Sequence, residues 1–328
     1  MQNVLKLAFA TTALAVALGC DISAMAEQTL KYPAKPVKII IPLGPGNSVE
    51  IVVRLVADKL AAALGQPFII EPQPGAAGQI GTERAARAPA DGYTLLAAND
   101  GIMTMLPNLQ KNIAYDPLRD FSPITQMAGI PLVLIAHPSV PAKTAQELIQ
   151  IAKAQPGRLE FSSGGNGSAQ QLAMELFMTV TGTRFTHIPY RGAPQAAMDV
   201  VSGQIPVAFA GVPIVAALIK EGKLRALGIA SDERLPLLAD TPTLAEQGIP
   251  LRFVPWGGLF APAGTPSDVV HKLSQEAVKA LNSADMQARL AEFGFQTYGS
   301  SPEKFAETMR ADFEKMATVI RDAGIRPQ

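Results

Sequence analysis

The stretch Leu43-Gly44-Pro45-Gly46-Asn47 follows an apolar run ending in Pro42 and precedes Ser48, where an amphipathic stretch begins. A strand that turns through glycines into a helix start presents backbone N–H groups of partial positive charge. A carboxylate or phosphate fits such a place. Asn47 and Glu50 stand three apart, as in a capping box with Asn in place of Ser or Thr. The same residues also describe a capped helix after a tight turn with nothing bound, and the turn alone does not separate the two readings.

Ser162 to Ser168 repeats the pattern, through Ser163, Gly164, Gly165, Asn166 and Gly167. Ser168 and Gln171 match the S-x-x-Q capping box, and the glycines let backbone N–H groups approach a ligand closely. No Lys-Ser or Lys-Thr follows, so this is not a P-loop. Gln170 stands where a dinucleotide fingerprint needs its third glycine. A small carboxylate therefore fits better than a nucleotide. Tyr190-Arg191-Gly192 adds a cation able to pair bidentately with a carboxylate, or equally a solvated surface arginine. Asn99-Asp100-Gly101 ends another strand-like run and can face the same site, although Asp100 repels an anion unless a cation or water intervenes. Gly75 to Gly81 has the spacing G-x-x-G-x-x-G with Pro72 and Pro74 nearby, which reads as turn and close-packing glycines rather than a cofactor loop.

Catalytic chemistry has little to work with. The three histidines, His137, His187 and His271, are far apart, and no H-E-x-x-H or His/Cys cluster suggests a metal. There is no G-x-S-x-G elbow. Ser168, His187 and Asp199 can be drawn as a triad, but sequence order gives that drawing no geometric support. Anion grips without a base or nucleophile are what a binding protein needs. A secreted hydrolase with Ser168 or Ser48 as nucleophile is the alternative from another class.

The elements that must position these residues alternate. The pattern predicts strands at 37–41, 68–70, 93–97, 132–136, 159–162, 186–190, 205–210 and 224–230. It predicts helices at 47–64, 82–88, 145–154, 168–181, 194–202 and 215–220, several closed by a glycine: Gly65, Gly182 and Gly203. The C-terminal third reads as mostly helical, at 268–282, 286–293 and 302–323, with little strand. Two β-α-β runs followed by helices argue an α/β fold with helices flanking parallel sheets. A chain of 328 residues built this way forms two lobes with the ligand crevice between them, closing by a hinge.

Composition agrees: 48% hydrophobic and 17% charged residues describe a folding chain. Lys+Arg and Asp+Glu are both 28, so nothing points to nucleic acid as a partner. The first 26 residues differ. Lys6, the apolar run Leu7 to Gly19, and Ala24-Met25-Ala26 together predict a secretory signal peptide. Cys20 is the only cysteine, which forbids an intrachain disulfide, and Ala17-Leu18-Gly19-Cys20 loosely allows lipid attachment at Cys20 instead.

Taken together, several stretches resemble the extracytoplasmic solute-binding proteins of tripartite tricarboxylate transporters, the Bug family. They begin at Tyr32-Pro33-Ala34-Lys35-Pro36-Val37 and continue through "IIPLGPGNS", "GQPFIIEPQPGAAGQIG", "PADGYTLL", "YDPLRDFSPIT", "HPSVPAKTAQELI", "SSGGNGSAQQLAMELF", "HIPYRGAPQAAMDVVSGQI", "GKLRALGIAS", "DTPTLAEQGIP", "WGGLFAPAGTP" and "VIRDAGI". The resemblance implies a two-lobed, type II-like periplasmic binding protein without cofactor or metal. It implies a carboxylate held by loop backbone and ordered water, and hand-off to a two-subunit membrane permease. A periplasmic monomer is expected, with residues 1–26 as signal peptide, 27–125 plus 251–328 as one lobe and 126–250 as the other. A sensor that docks on a signalling partner needs the same fold and stays open.

Carried over, the first-lobe site is Gly44, Gly46, Asn47 and Ser48, with Asn99 and Asp100. The second-lobe site is Ser163, Gly165, Asn166, Gly167 and Ser168, with Tyr190, Arg191 and Gly211. The chain also departs from the family. The first loop usually reads P-F-A-P-G-G-S-T-D, against Pro42 to Glu50 here, which makes Asn47 and Glu50 the residues expected to tune the ligand. Near Phe209 the family usually carries Asp and Asn or another polar residue, where this chain has Ala210 and Gly211. A bulkier or more apolar carboxylate, aromatic ones included, follows from that loss.

Overall fold

The computed structural model describes residues 32–110 and 112–322. The signal-peptide and Cys20 readings therefore fall outside the described residues. The chain divides into two units, Met1–Lys35 and Pro36–Gln328, and everything below concerns the second.

Two sheets organise it. The first is built from β1 (Val37–Ile41), β2 (Phe68–Pro72), β3 (Thr94–Asn99), β4 (Phe121–Gly129), β10 (Trp256–Pro262) and β11 (Gln296–Thr297), in the order β11-β4-β10-β3-β1-β2. The second holds β5 (Leu132–Ala136), β6 (Glu160–Ser163), β7 (Thr186–Pro189), β8 (Val207–Gly211) and β9 (Arg225–Ile229), in the order β7-β6-β8-β5-β9. Between strands run the helices α1 (Ser48–Leu64), α2 (Gln79–Ala86), α3 (Leu106–Leu109), α4 (Ala145–Ala154), α5 (Ala169–Thr181), α6 (Ala193–Val201) and α7 (Val212–Lys220). Three more close the chain: α8 (Ser267–Leu281), α9 (Ala284–Glu292) and α10 (Pro302–Asp322).

The expectation of parallel sheets is corrected. β1 is parallel to β2 and β3, and β6 to β7 and β8, each pairing needing a crossover connection rather than a hairpin. But β10 runs antiparallel to both β3 and β4, and β5 antiparallel to both β8 and β9. The antiparallel strands are those where the chain passes between sheets. β10 is not among the strands predicted from the mostly helical C-terminal third, yet it lies in the middle of the first sheet.

Burial explains why the strands hold. Along β5, Leu132, Leu134 and Ala136 join the core around Phe161, Phe177 and Phe209, while Val133 and Ile135 join the core around Val200, Val212 and Val215. Successive side chains alternate faces, so helices must cover both sides. In the first lobe, Trp256, Phe260 and Phe305 stack within 5.0–6.4 Å of one another, bringing α10 back onto the sheet. Gly258 makes that possible, since a Cβ there would sit 2.2 Å from the Phe305 ring.

The chain crosses between sheets twice. It leaves β4 at Gly129 and enters β5 at Leu132, then returns through Pro255 into β10. The two crossings touch: the Ile130 amide donates to the Pro255 carbonyl at 2.6 Å.

Candidate functional site

Three strand-to-helix turns open onto one cleft of about 840 Å³. In the first, between β1 and α1, Asn47 caps the helix. Its Oδ1 accepts the Glu50 amide at 3.0 Å and its Nδ2 donates to the Gly44 carbonyl at 2.7 Å. The Glu50 carboxylate reaches back to accept the Gly46 amide at 2.7 Å and pairs with Arg54. Glu50 is thus committed to the cap and does not line the cleft. The amides of Ser48 and Val49 carry no hydrogen bond among the described residues. They are the orphan donors of a helix start.

The second turn, between β6 and α5, is built alike. Ser168 Oγ accepts the Gln171 amide at 3.3 Å, and Gln171 Oε1 reaches back to accept the Gly167 amide at 2.8 Å. The orphan amides here belong to Ala169 and Gln170. In both turns the residue at N3 bonds the amide before the cap rather than that of the cap itself. The third turn, between β7 and α6, offers the Ala193 amide, Pro194 having none. Beside it, Arg191 is exposed and its guanidinium makes no hydrogen bond or ion pair among the described residues. Tyr190 donates its hydroxyl to Asp199 at 2.5 Å, and that bond, with some burial, pushes the phenol up to about 12.

The jaws approach closely because they are edged with glycine. A methyl group on Gly101 would lie 3.4 Å from the Gly167 carbonyl oxygen and 3.5 Å from the Ala169 nitrogen. One on Gly44 would lie 3.5 Å from the Arg191 carbonyl oxygen. At Gly211 a Cβ would meet Ser48 Oγ at 2.9 Å.

Of the residues singled out from sequence, the cleft wall brings together Gly44, Asn47, Ser48, Asn99, Gly165, Asn166, Gly167, Ser168, Tyr190 and Arg191. Gly46, Asp100, Ser163 and Gly211 are not on it. Ser163 is fully buried. Its hydroxyl lies 2.6 Å from His187 Nε2 and 3.1 Å from the Gly165 amide, so it braces the loop from behind. Burial holds His187 down to about 4, so the imidazole is neutral. Asp100 turns inward and accepts the Gly101 amide at 2.8 Å. Burial, and then the neighbouring Asp312, push its carboxyl up to about 8. It therefore keeps its proton at neutral pH, which removes the repulsion expected of it.

The drawn triad does not assemble: His187 meets Ser163, and Asp199 meets Tyr190, with Ser168 engaged in its cap. Among the described residues no group of three or more His, Cys, Asp or Glu could hold a metal ion. Among the described residues no helix is long and apolar enough to cross a membrane.

Sequence reasoning missed one wall. Pro74 to Gln79 line the cleft. There Gly75, Ala76, Ala77 and Gly78 have φ of 138°, 45°, 55° and 101° in succession. Two consecutive alanines in the left-handed region cost about 1 kcal/mol each or more, and strain of this kind gathers at ligand sites. The close-packing reading also holds in part, since a Cβ on Gly81 would lie 2.6 Å from the Gln73 carbonyl oxygen. The missed signal was a Pro-Gly-Ala-Ala-Gly run directly after a strand.

The pattern described as "Tripartite tricarboxylate transporter family receptor" matches residues 52–325. "Protein BugT" of Bordetella pertussis is 33% identical over 298 residues, covering 90% of this chain and 91% of BugT. Among solved structures, one described as a periplasmic transporter is 38% identical with a TM-score of 0.87, over 90% of this chain and 100% of that one. The R. palustris protein Rpa4515 with adipate is 30% identical with a TM-score of 0.88, over the same shares.

Proposed function

We propose that this chain, which belongs to the tripartite tricarboxylate transporter receptor family, captures a small carboxylate between its lobes and delivers it to a two-subunit membrane permease. Its class is that of a periplasmic solute-binding protein, not an enzyme. The observation that carries the carboxylate reading is the convergence of unbonded amides at Ser48, Val49, Ala169, Gln170 and Ala193 on a cleft whose rim also carries the Arg191 guanidinium. Each helix start favours an anion, and a cleft gathers several such fields onto one ligand. The adipate found with Rpa4515 supports the same ligand class.

In this reading the first lobe comprises residues 27–125 and 251–328 and the second 126–250, with β4 carrying the first sheet on to Gly129. The protein acts as a monomer, exported by residues 1–26. A mature N-terminus at Glu27 by mass spectrometry separates this from lipid attachment at Cys20.

Ser168→Ala and Asn166→Ala each weaken ligand binding, by about tenfold where a hydrogen bond to an anion is lost. Ser168→Ala also costs about 1 kcal/mol of stability through its cap. Asn166 is exposed, so its replacement leaves stability unchanged. Calorimetric titration with the acid that co-purifies with the protein provides the check, and unchanged affinity in both variants removes this loop from the site.

A further inference from the structure

The chemistry of the cleft floor differs from that of its rim. At the crossing between lobes, the Ile130 amide bonds the Pro255 carbonyl, and Leu132 pairs with Gly211 across the second sheet. Ile214 lies in the first turn of α7, three residues beyond Gly211. Ile130, Leu132, Ile214 and Pro255 all line the cleft, so its floor at the crossing between lobes is lined by apolar side chains. No polar side chain rises from the neighbouring strand end, which carries Ala210 and Gly211. One cannot be added at Gly211 without displacing Ser48, whose Oγ lies 2.9 Å from where a Cβ would stand. Charge is equally sparse. Arg191 is the one charged side chain among the residues lining the cleft, and no carboxylate lines it to meet a ligand ammonium.

Resting on the carboxylate-binding reading above, we propose that the occupant is a monocarboxylate with an apolar body, an aliphatic chain or an aromatic ring, and without hydroxyl groups. The carboxylate sits at the helix starts beside Arg191, and the body lies over Ile130, Leu132, Ile214 and Pro255. A second carboxylate or a hydroxyl set on that floor loses water without gaining a hydrogen-bond partner, which is costly. A methylene set there gains about fourfold in affinity. The volume of about 840 Å³ leaves room for a body of ring size beyond the carboxylate.

Titration calorimetry of the purified protein with hexanoate, benzoate, adipate, malate and citrate tests this. Hexanoate and adipate share a six-carbon chain and differ in one carboxylate, so they isolate the second charge. Hexanoate or benzoate binding at least tenfold tighter than adipate, malate and citrate supports the proposal. Adipate, malate or citrate binding tighter overturns it and leaves the carboxylate reading standing. Binding of none of the five overturns both. Ile214→Asn gives an independent arm, since Ile214 is only half-buried and packs at the edge of the core around Val215 rather than within it. The variant weakens hexanoate or benzoate about tenfold and changes malate less than threefold. Equal losses for all ligands would mean that the floor does not read the apolar body.

Discussion

Gly101→Leu raises the dissociation constant of the tightest acid in the panel above by at least about a hundredfold, while the ligand-free protein keeps its melting temperature within about 2 °C. Gly101 is buried at the edge of the first jaw, facing Gly167 and Ala169 of the second. A single methyl there stands 3.4–3.5 Å from those atoms, which is ordinary contact. Gly101→Ala is therefore nearly silent. A leucine side chain extends beyond that contact and acts as a wedge. Its contacts with Gly167 and Ala169 are relieved when the lobes part, leaving only Asn99 Oδ1, at 3.4 Å on the same jaw, so most of the cost falls on the closed form. A ligand held by both jaws must then close the lobes against the wedge, and its affinity falls by the fraction of molecules able to close. The thermal shift given by saturating ligand shrinks in parallel, because ligand stabilisation follows RT ln(1 + [L]/Kd). Loss of stability without ligand equal to the loss in affinity would show that Gly101 serves packing rather than closure.

How much of this was legible beforehand follows from which interactions are local. The two jaws were readable because capping is decided within four residues. Asn47 with Glu50, and Ser168 with Gln171, predict helix starts at the places where α1 and α5 begin. The strands β4 and β10 were not readable by alternation. Phe121-Ser122-Pro123, which opens β4, carries a proline, and Trp256-Gly257-Gly258 carries two glycines, signals that lower a strand assignment. Both strands exist because Phe121, Trp256 and Phe260 share a core with Phe305 from far along the chain. The same limit applied to Asp100 and Ser163. Sequence placed each at a strand end near the site, but only the packing of α10 and β7 decides that both turn away from the cleft. Glu50 shows the converse. It stands where the family carries an acid, yet the bond to the Gly46 amide fixes it as a cap and not as a ligand contact.

Asp100→Asn stabilises the protein at pH 8.5 by several kcal/mol, on the order of 5, and has little effect near pH 4. The carboxyl is buried near Asp312, whose Oδ2 accepts the Trp256 indole N–H at 2.7 Å, and its folded pKa lies near 8 against 3.8 for a free aspartate. Below about pH 4 both folded and unfolded chains hold the proton, so no penalty exists. As pH rises from about 4 to 8 the unfolded chain releases its proton and the folded one does not, so stability falls by up to about 1.4 kcal/mol per pH unit. Above pH 8 the penalty is complete. Asparagine keeps an oxygen for the Gly101 amide and carries no charge, so the variant loses this slope. Urea unfolding of both proteins at pH 4.5 and pH 8.5 measures the difference, and a gap of equal size at the two values refutes the assignment. The functional consequence runs the same way. Asn99 and Gly101, on either side of Asp100, both line the cleft, so an ionised Asp100 would lie just beneath the proposed carboxylate site. Holding it neutral spares the ligand that repulsion, and carboxylate affinity in the unmodified protein declines as pH is raised past about 8 while Asp100→Asn holds its affinity.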